Sequence, residues 1–448
     1  GRFQTDHYIL NGKGTETWEP RFTYHGFRYV EVTGYPGRLT KGDVAGRVVH
    51  TDFQRAGQFR CSSELINQIV DCAFWSYRTN FVGRPTDCPQ REKNGWSGDA
   101  VMAAEQAMYS WSNVTAYEKW FRSYEDVQRA NGQLPVIIPT GTWGYDFLGK
   151  VHPARDGAFI VIPWYLYQYR GDRRVLATHY GSMKQYVNYC ASRASGDIVK
   201  EGIGDHCPAG PKTLTALTST AFYYQSVDLL SRIAGVLGRK EEARQLRKRA
   251  QNIKNAYNRK FYHGDGKYGD KSTQTALACS LRLGLCPEGE REEVLQRLVE
   301  NVRRNDRHLR TGNLGTKFLF RALSRNGHAE LAYDVATRQT CPGYGYWVQQ
   351  GATTLWERWP GKTGPLKHGR WSDIVAWFYQ ELAGLRTGAD HPGFKHFVVK
   401  PRLLGDLTHV RAAHDSMYGK VRSAWELEKR RLSLSVRVPV NTSATVHV

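Results

Sequence analysis

No stretch of the 448 residues approaches the roughly 18 to 20 consecutive apolar positions that a membrane-spanning helix needs, so no membrane partner is expected. The opening GRFQTDHYIL lacks the apolar core of a secretory leader and reads as the interior of a strand. The closing SLSVRVPVNTSATVHV stops while still alternating, so the chain is expected to be a piece cut from a longer protein at both ends. Cysteine is present but unorganised. Its 8 copies, at positions 61, 72, 88, 190, 207, 279, 286 and 341, include no CxxC pair and no histidines at ligand spacing. That argues against a zinc site or a disulfide framework and for small buried side chains. Acid is in short supply: 42 Asp and Glu face 63 Lys and Arg, a net charge of +21. Such a balance raises nucleic acid, a membrane surface or an acidic polysaccharide as partners. The densest segments, 238–260 and 288–307, interleave both signs at helical spacing, the pattern of a solvated helix face. No nucleic-acid reading motif accompanies the charge, so no nucleic-acid partner is expected.

Flat, half-polar rings are abundant. The 13 Trp and 25 Tyr suit packing and also the stacking of sugar C–H groups on a π face. Length alone predicts two or three units. Residues 1–55 alternate in short runs such as FRYVEVTGYPG and GRVVHTDFQ, which predicts strands. From 56 to 388 the pattern turns to amphipathic segments of 12 to 20 residues, roughly a dozen helices. Short and long connections alternate between them. Short links join antiparallel neighbours and long ones tend to carry function, so the segment predicts a ring of helical hairpins, an (α/α) toroid with its loops at one mouth. Alternation returns over 389–448 and predicts a second β region. The fold class is thus mainly α, an (α/α)6 toroid barrel flanked by partial β-sandwich domains at both ends.

The chemistry concentrates in PTDCPQREKNGWSGDA, residues 85–100. Pro85, Pro89 and Gly95 predict a loop carrying Asp87 and Glu92, with Ser97 as N-cap of a helix that opens near Asp99. Singly, Asp99 complements a helix dipole and Glu92 pairs with Arg91 or Lys93. Trp96 argues for more, because a large ring between acids walls a site and lowers its dielectric, which raises a carboxyl pKa. A second acid in a like setting is Glu357, between Trp356 and Trp359 in GATTLWERW. Two separated acids beside tryptophans on the loop side of a toroid are what glycoside hydrolysis requires, one to protonate the leaving oxygen and one to activate water.

The loop PTDCPQREKNGWSGDA, with EPRFTYHGFRYVEVTGYPG upstream and GATTLWERW downstream, resembles glycoside hydrolase family 78, the bacterial and fungal α-L-rhamnosidases. The resemblance spans essentially the whole chain. It implies an (α/α)6 barrel after β-sandwich domains and before a C-terminal one, and inverting hydrolysis of terminal α-L-rhamnosyl residues from glycosides or polysaccharides. By motif position it implies Glu92 as general acid and Glu357 as general base. It implies Asp87 and Asp99 as ligands of the rhamnose hydroxyls, Arg91 and Trp96 as orienting and lining groups, and His368 facing the sugar. Trp143, Asp156 and Trp356 complete the expected substrate-binding set. That chemistry requires no metal and no organic cofactor. Export to the periplasm or beyond is favoured over a cytoplasmic location.

Departures from the family pattern are also legible. In PARDGAFIVIPW, expected as a loop, the family's sugar-contacting tryptophan and aspartate match Arg155 and Gly157, with Asp156 displaced by one. Lys367 stands where an asparagine precedes the histidine, and Ser372 where a glycine follows. These changes would retune the pocket toward an acidic neighbouring sugar paired with Arg155 or Lys367, or reduce activity. Two rival readings stay open: a toroid lyase of uronic acids built on Tyr145, His152 or His206, and a sugar-binding protein without catalysis.

Overall fold

The computed structural model describes residues 4–361 and 364–448. Six hairpins build the body, each pairing an outer helix with an inner one. The inner helices are α2 (Ser97–Ser110), α5 (Ala158–Arg170), α7 (Thr215–Val236), α9 (Gln274–Leu283), α11 (Asn313–Ser324) and α14 (Ile374–Trp377). The last runs on into a π-helical turn, Phe378–Leu382. Each packs on the next, and α14 returns to α2, so the six close a ring. Outside them lie α1 (Glu64–Thr79), α3 (Val114–Val127), α6 (Arg173–Arg193), α8 (Lys240–Phe261), α10 (Arg291–Arg304) and α12 (Ala329–Ala336), with the short α4 (Pro153–Asp156) and α13 (Tyr344–Gln349) in the long connections.

The two layers differ in sequence as their positions require. An outer helix buries one stripe: α3 inserts Tyr117, Trp120, Phe121 and Tyr124, and α10 inserts Val294, Leu295, Leu298, Val299 and Val302. The opposite faces carry the interleaved charges, as in the Glu241–Arg244 pair at 2.7 Å on α8. Inner helices are covered on all sides, so α2 and α11 are buried almost throughout with small residues at the close approaches. Helix α5 is the clearest departure from expectation. Its AFIVIPWYLYQYR shows no amphipathic period and contains Pro163, which the sequence reads as loop, yet it forms a helix because packing on every side compensates for the hydrogen bond that proline removes.

Connections from inner to outer helices are short, as at 111–113 and 171–172, whereas those from outer to inner helices are long, as at 80–96, 194–214 and 337–373. The long loops therefore gather at the N-terminal ends of the inner helices. The other end is closed by β-structure. Strand β1 (Gly57–Cys61), just before the first helix, pairs antiparallel with β4 (His409–Ser416) from Gly57↔His414 to Cys61↔Val410. Strands β5 (Gly419–Glu428) and β6 (Arg431–Arg437) extend that sheet in the order β1-β4-β5-β6. A second sheet orders β2 (Leu385–Thr387), β3 (His396–Val399) and β7 (Ser443–Val446). Trp425 Nε1 donates to Leu382 O at 2.7 Å and the buried Arg170 Nη1 to Asp415 O at 3.2 Å, which tie the first sheet to the C-terminal ends of the inner helices, and Tyr109 OH donates to Leu385 O at 2.9 Å, which ties the second.

Residues 4–54 contain no strand, contrary to the expectation for that segment. Alternation makes a strand only where a neighbour completes the ladder, and the described residues provide none there. The segment instead runs along the loop mouth. Lys93 Nζ donates to Tyr24 O at 2.5 Å and lies over the Tyr24 ring, and a Cβ at Gly26 would sit 2.9 Å from Pro89.

Candidate active site

Loop 80–96 brings its acids to the mouth by two different routes. Asp87 is drawn inward: Asn94 N donates to Oδ1 at 2.9 Å and Cys88 Sγ to Oδ2 at 2.8 Å, and the residue is 3% exposed. Glu92 stays at the rim, where Arg91 Nη2 donates to Oε1 and Trp96 Nε1 to Oε2, both at 2.8 Å. Trp96 is thus a donor to the acid as well as a wall, and it meets Trp143 edge-on at 6.1 Å and Phe147 at 5.4 Å. Ser97 does not cap α2. It is the first helical residue, and its hydroxyl donates to Val136 O, because Gly95 and Trp96 lie against the 136–138 segment, where Gly95 leaves no room for a Cβ beside Ile138 O.

From the far side of the ring comes Glu357, 4% exposed. Arg91 Nη2 reaches its Oε2 at 3.7 Å, Arg370 Nη2 its Oε1 at 3.4 Å and His206 Nε2 its Oε1 at 3.6 Å. Burial raises this carboxyl, but the His206 contact and the charges of Arg370 and Arg91 together outweigh it and hold Glu357 below the usual glutamate range. One guanidinium nitrogen of Arg91 therefore touches both glutamates. At 2.8 and 3.7 Å from that nitrogen, the two oxygens lie at most about 6.5 Å apart. Inverting glycosidases hold their carboxyls roughly 6.5 to 9.5 Å apart, so with Arg91 bridging them the two oxygens lie at or below the low end of that range. Gly364, at φ +87, is required beside this pair: a Cβ there would stand 2.5 Å from Glu357 Oε2.

Between the glutamates lies a compact set of charges. Asp99, in the first turn of α2, contacts His368 Nδ1 at 3.2 Å and Arg370 Nε at 3.5 Å. Arg370 also hydrogen-bonds the His368 ring, and burial followed by that neighbouring charge drives the histidine well below its ordinary value, so it is neutral. Arg155 is buried, its Nη2 donating to Gly204 O at 3.3 Å; a Cβ on Gly98 would lie 2.0 Å from its Cδ.

Asp156 is not brought to this set. Its Oδ2 accepts from His152 N at 3.0 Å, and burial raises it far above the aspartate range, so it is a neutral residue closing the α4 turn. Trp356 is likewise turned into packing, against Trp347 at 6.2 Å and beneath Gly361, although Glu357 beside it faces the site. Tyr145 donates to Val127 O and His152 hydrogen-bonds Gly149 O, away from both glutamates. Arg370 and Cys207 escaped the sequence reading, and His206 entered only the rival scheme. Arg370 had one available signal, its position two residues after His368. His206 and Cys207 had none, because their neighbour Glu357 is remote in sequence.

The carboxyl that burial lifts most usefully is Asp87. Desolvation, then Asp99 and Glu92, raise it to about 7. Its folded pKa exceeds the unfolded value of about 3.9, so the folded chain keeps a proton that the unfolded chain has lost. Stability is therefore expected to fall as pH rises from about 4 to about 7 and to level off above, with a ceiling of about 4 kcal/mol for such a shift. Asp87→Asn should flatten this slope and melt higher than the parent at pH 8, as read by thermal unfolding at pH 5 and pH 8. Equal slopes in both proteins would show that Asp87 does not titrate in this range.

Comparison with known proteins shows the family to which this fold belongs. Residues 54–382 match the bacterial alpha-L-rhamnosidase 6 hairpin glycosidase domain, 384–448 the corresponding C-terminal domain and 1–50 the concanavalin-like domain. The alpha-L-rhamnosidase of Streptomyces avermitilis is 34% identical over 99% of the chain and 43% of its own length, and one from Formosa agariphila is 34% identical over 99% and 50%. Among solved structures, alpha-L-rhamnosidase from Dictyoglumus thermophilum superposes with a TM-score of 0.93 at 40% identity, covering 98% of this chain and 50% of that one. The Streptomyces avermitilis enzyme complexed with L-rhamnose gives 0.91 at 33%, covering 98% and 43%. The chain spans about half the length of these relatives. With its ring of six hairpins and its paired glutamates at the mouth, the chain belongs to the bacterial α-L-rhamnosidase six-hairpin glycosidase family.

Proposed function

We propose that this chain is the catalytic barrel of an inverting α-L-rhamnosidase that releases terminal rhamnose from a rhamnosylated glycoside or polysaccharide. The observation that carries the reading is the convergence of Glu92 and Glu357 on one nitrogen of Arg91 at the mouth of the toroid. In this reading Glu92 protonates the glycosidic oxygen. Glu357, ionised because Arg370, Arg91 and His206 surround it, takes a proton from the water that attacks the anomeric carbon from the opposite face. Asp87, Asp99 and His368 hold the sugar hydroxyls, and Trp96 and Trp143, set edge to face, offer it aromatic surface. Proton NMR of the first turnover tests the stereochemistry. The β-anomer of free L-rhamnose is expected first, and initial release of the α-anomer would refute a single displacement.

The finer substrate preference we place at the +1 side. Arg155 is enclosed beside Gly98 with its guanidinium donating to Gly204 O, whereas Lys367 is half-buried, makes no ion pair among the described residues and has its pKa lowered by burial. Together with the net charge of +21, this favours an acidic sugar next to the rhamnose. Raising salt should therefore lower kcat/KM on acidic rhamnosyl oligosaccharides more than on a neutral aryl rhamnoside, because screening weakens only the former. Equal salt dependence would rule this preference out.

A further inference from the structure

Around Glu357 lies a group of donors whose joint ligand chemistry, and whose member Cys207, the hydrolytic reading does not use. His206, Cys207 and Glu357 each offer one ligand atom, and the three atoms lie within 4.8 Å of one another. We propose that they form a binding site for a borderline-soft divalent cation, with Zn²⁺ as the prime case, and that the ion inhibits the enzyme by occupying Glu357. The site stands on its own geometry; the inhibition rests on the role proposed for Glu357.

Several features build the site rather than merely allow it. Consecutive side chains on an extended backbone point to opposite sides, which would part His206 from Cys207. Cys207 instead adopts φ +53, a left-handed conformation that a non-glycine residue rarely takes and that turns both donors to one side. The loop bearing them is pinned to the start of α11. Asn313 Oδ1 accepts from His206 N at 3.2 Å and Asn313 N donates to His206 O at 3.0 Å. The neighbouring Asp205 carboxylate accepts from Gly312 N at 2.7 Å and Leu314 N at 2.9 Å. Glu357 presents Oε1 to His206 Nε2 at 3.6 Å, and its Oε2 is buried without a hydrogen-bond partner, so the carboxylate retains unused acceptor capacity.

Ligand chemistry selects the ion. One imidazole nitrogen, one sulfur and one carboxylate oxygen suit Zn²⁺ or Co²⁺ and not Ca²⁺ or Mg²⁺, which demand oxygen shells. Zinc bonds of about 2.0 to 2.3 Å place tetrahedral ligands roughly 3.3 to 3.8 Å apart. The His206 to Glu357 separation of 3.6 Å already falls there, and the sulfur needs to close by at most about an ångström. His206 and Cys207 are only partly buried, which leaves the fourth position to water. On binding, the metal–sulfur bond replaces the S–H bond and the proton leaves to solvent. The charges of Arg370 and Arg91, 3.4 and 3.7 Å from the same carboxylate, oppose the ion. A reversible site is therefore expected, not a permanently loaded one.

Co²⁺ titration of the chelator-treated chain reads the site without reference to catalysis. One ion per chain should bring up a thiolate-to-cobalt charge-transfer band in the near ultraviolet. Cys207→Ser should abolish it, and His206→Gln should weaken binding at least about tenfold, the lower end of what even outer-shell partners contribute. The exposed Cys341, mutated to Ser, should leave the band unchanged. Zn²⁺ should inhibit rhamnoside hydrolysis reversibly, with half-inhibition displaced at least about tenfold in Cys207→Ser. Absence of the band in a chain folded by circular dichroism, or its persistence in Cys207→Ser, would overturn the site. A band in a chain inactive on every rhamnoside would uphold the site and refute the hydrolytic reading. A band in an active enzyme that Zn²⁺ does not inhibit would overturn the inhibitory role.

Discussion

Glu357→Gln is expected to lower kcat about a thousandfold on both an aryl and an alkyl α-L-rhamnoside, a loss of roughly 4 kcal/mol in transition-state stabilisation. The amide is nearly isosteric and can still accept from Arg370, so the fold should hold, but it cannot take the proton of the attacking water. Water attack is common to every substrate, and the loss should not depend on the leaving group. Glu92→Gln should behave differently. Protonation of the leaving oxygen matters most when that oxygen is strongly basic, so the alkyl rhamnoside should again lose about a thousandfold, whereas a p-nitrophenyl rhamnoside should lose only about tenfold. Steady-state kinetics of both variants on both substrates measure this. Should the leaving-group dependence appear in Glu357→Gln instead, the acid and base assignments are reversed; should neither variant lose more than a few-fold, neither glutamate carries the chemistry.

Asp373→Ala is expected to destabilise the barrel by about 3 to 5 kcal/mol, the cost of leaving buried charge unpaired. Asp373 is 3% exposed and accepts from Lys317 Nζ at 2.8 Å and from Arg321 Nη1 at 2.6 Å. Arg321 also meets Glu105 at 3.0 Å, and Glu105 accepts from Tyr169 OH at 2.7 Å and Gln380 Nε2 at 2.9 Å. These side chains come from α2, α5, α11, the cap of α14 and the π-helical turn, and the ion pairs set two cations, Lys317 and Arg321, against two anions, Asp373 and Glu105. Removing Asp373 leaves two desolvated cations to one carboxylate. It also frees the residue that follows the turn carrying His368, Arg370 and Trp371. Urea unfolding at neutral pH should show the loss, and the double variant Asp373→Leu with Lys317→Met should recover much of it, since an apolar pair replaces an ion pair at low cost. A cost below about 1 kcal/mol for Asp373→Ala would mean that water reaches the network.

Much of the architecture was legible because its causes are local. Tyr117, Trp120, Phe121 and Tyr124 announce an outer helix by their spacing, and the alternation of short with long connections announces hairpins with loops at one mouth. The reading failed where the cause was not local. Helix α5 shows no period because its surroundings are apolar on every side, and residues 4–54 alternate without a partner strand within the described residues to turn the pattern into a ladder.

The functional site divides in the same way. Residues 85–99 carry Asp87, Glu92, Trp96 and Asp99 close together in sequence, so their association follows from the chain itself. That Asp156 turns into the α4 turn while its neighbour Arg155 packs along Gly98 and donates to Gly204 O depends on that turn and on the absence of a Cβ at Gly98. The chain's own order of residues thus determined the helical periodicity, the loop of acids and the excess of positive charge. Closure of the ring alone decided which distant groups meet. It set Glu357 against Arg91 and brought Glu357 to the adjacent pair His206 and Cys207, because contacts between segments far apart in sequence are fixed by packing of the whole barrel and leave no periodic or local trace.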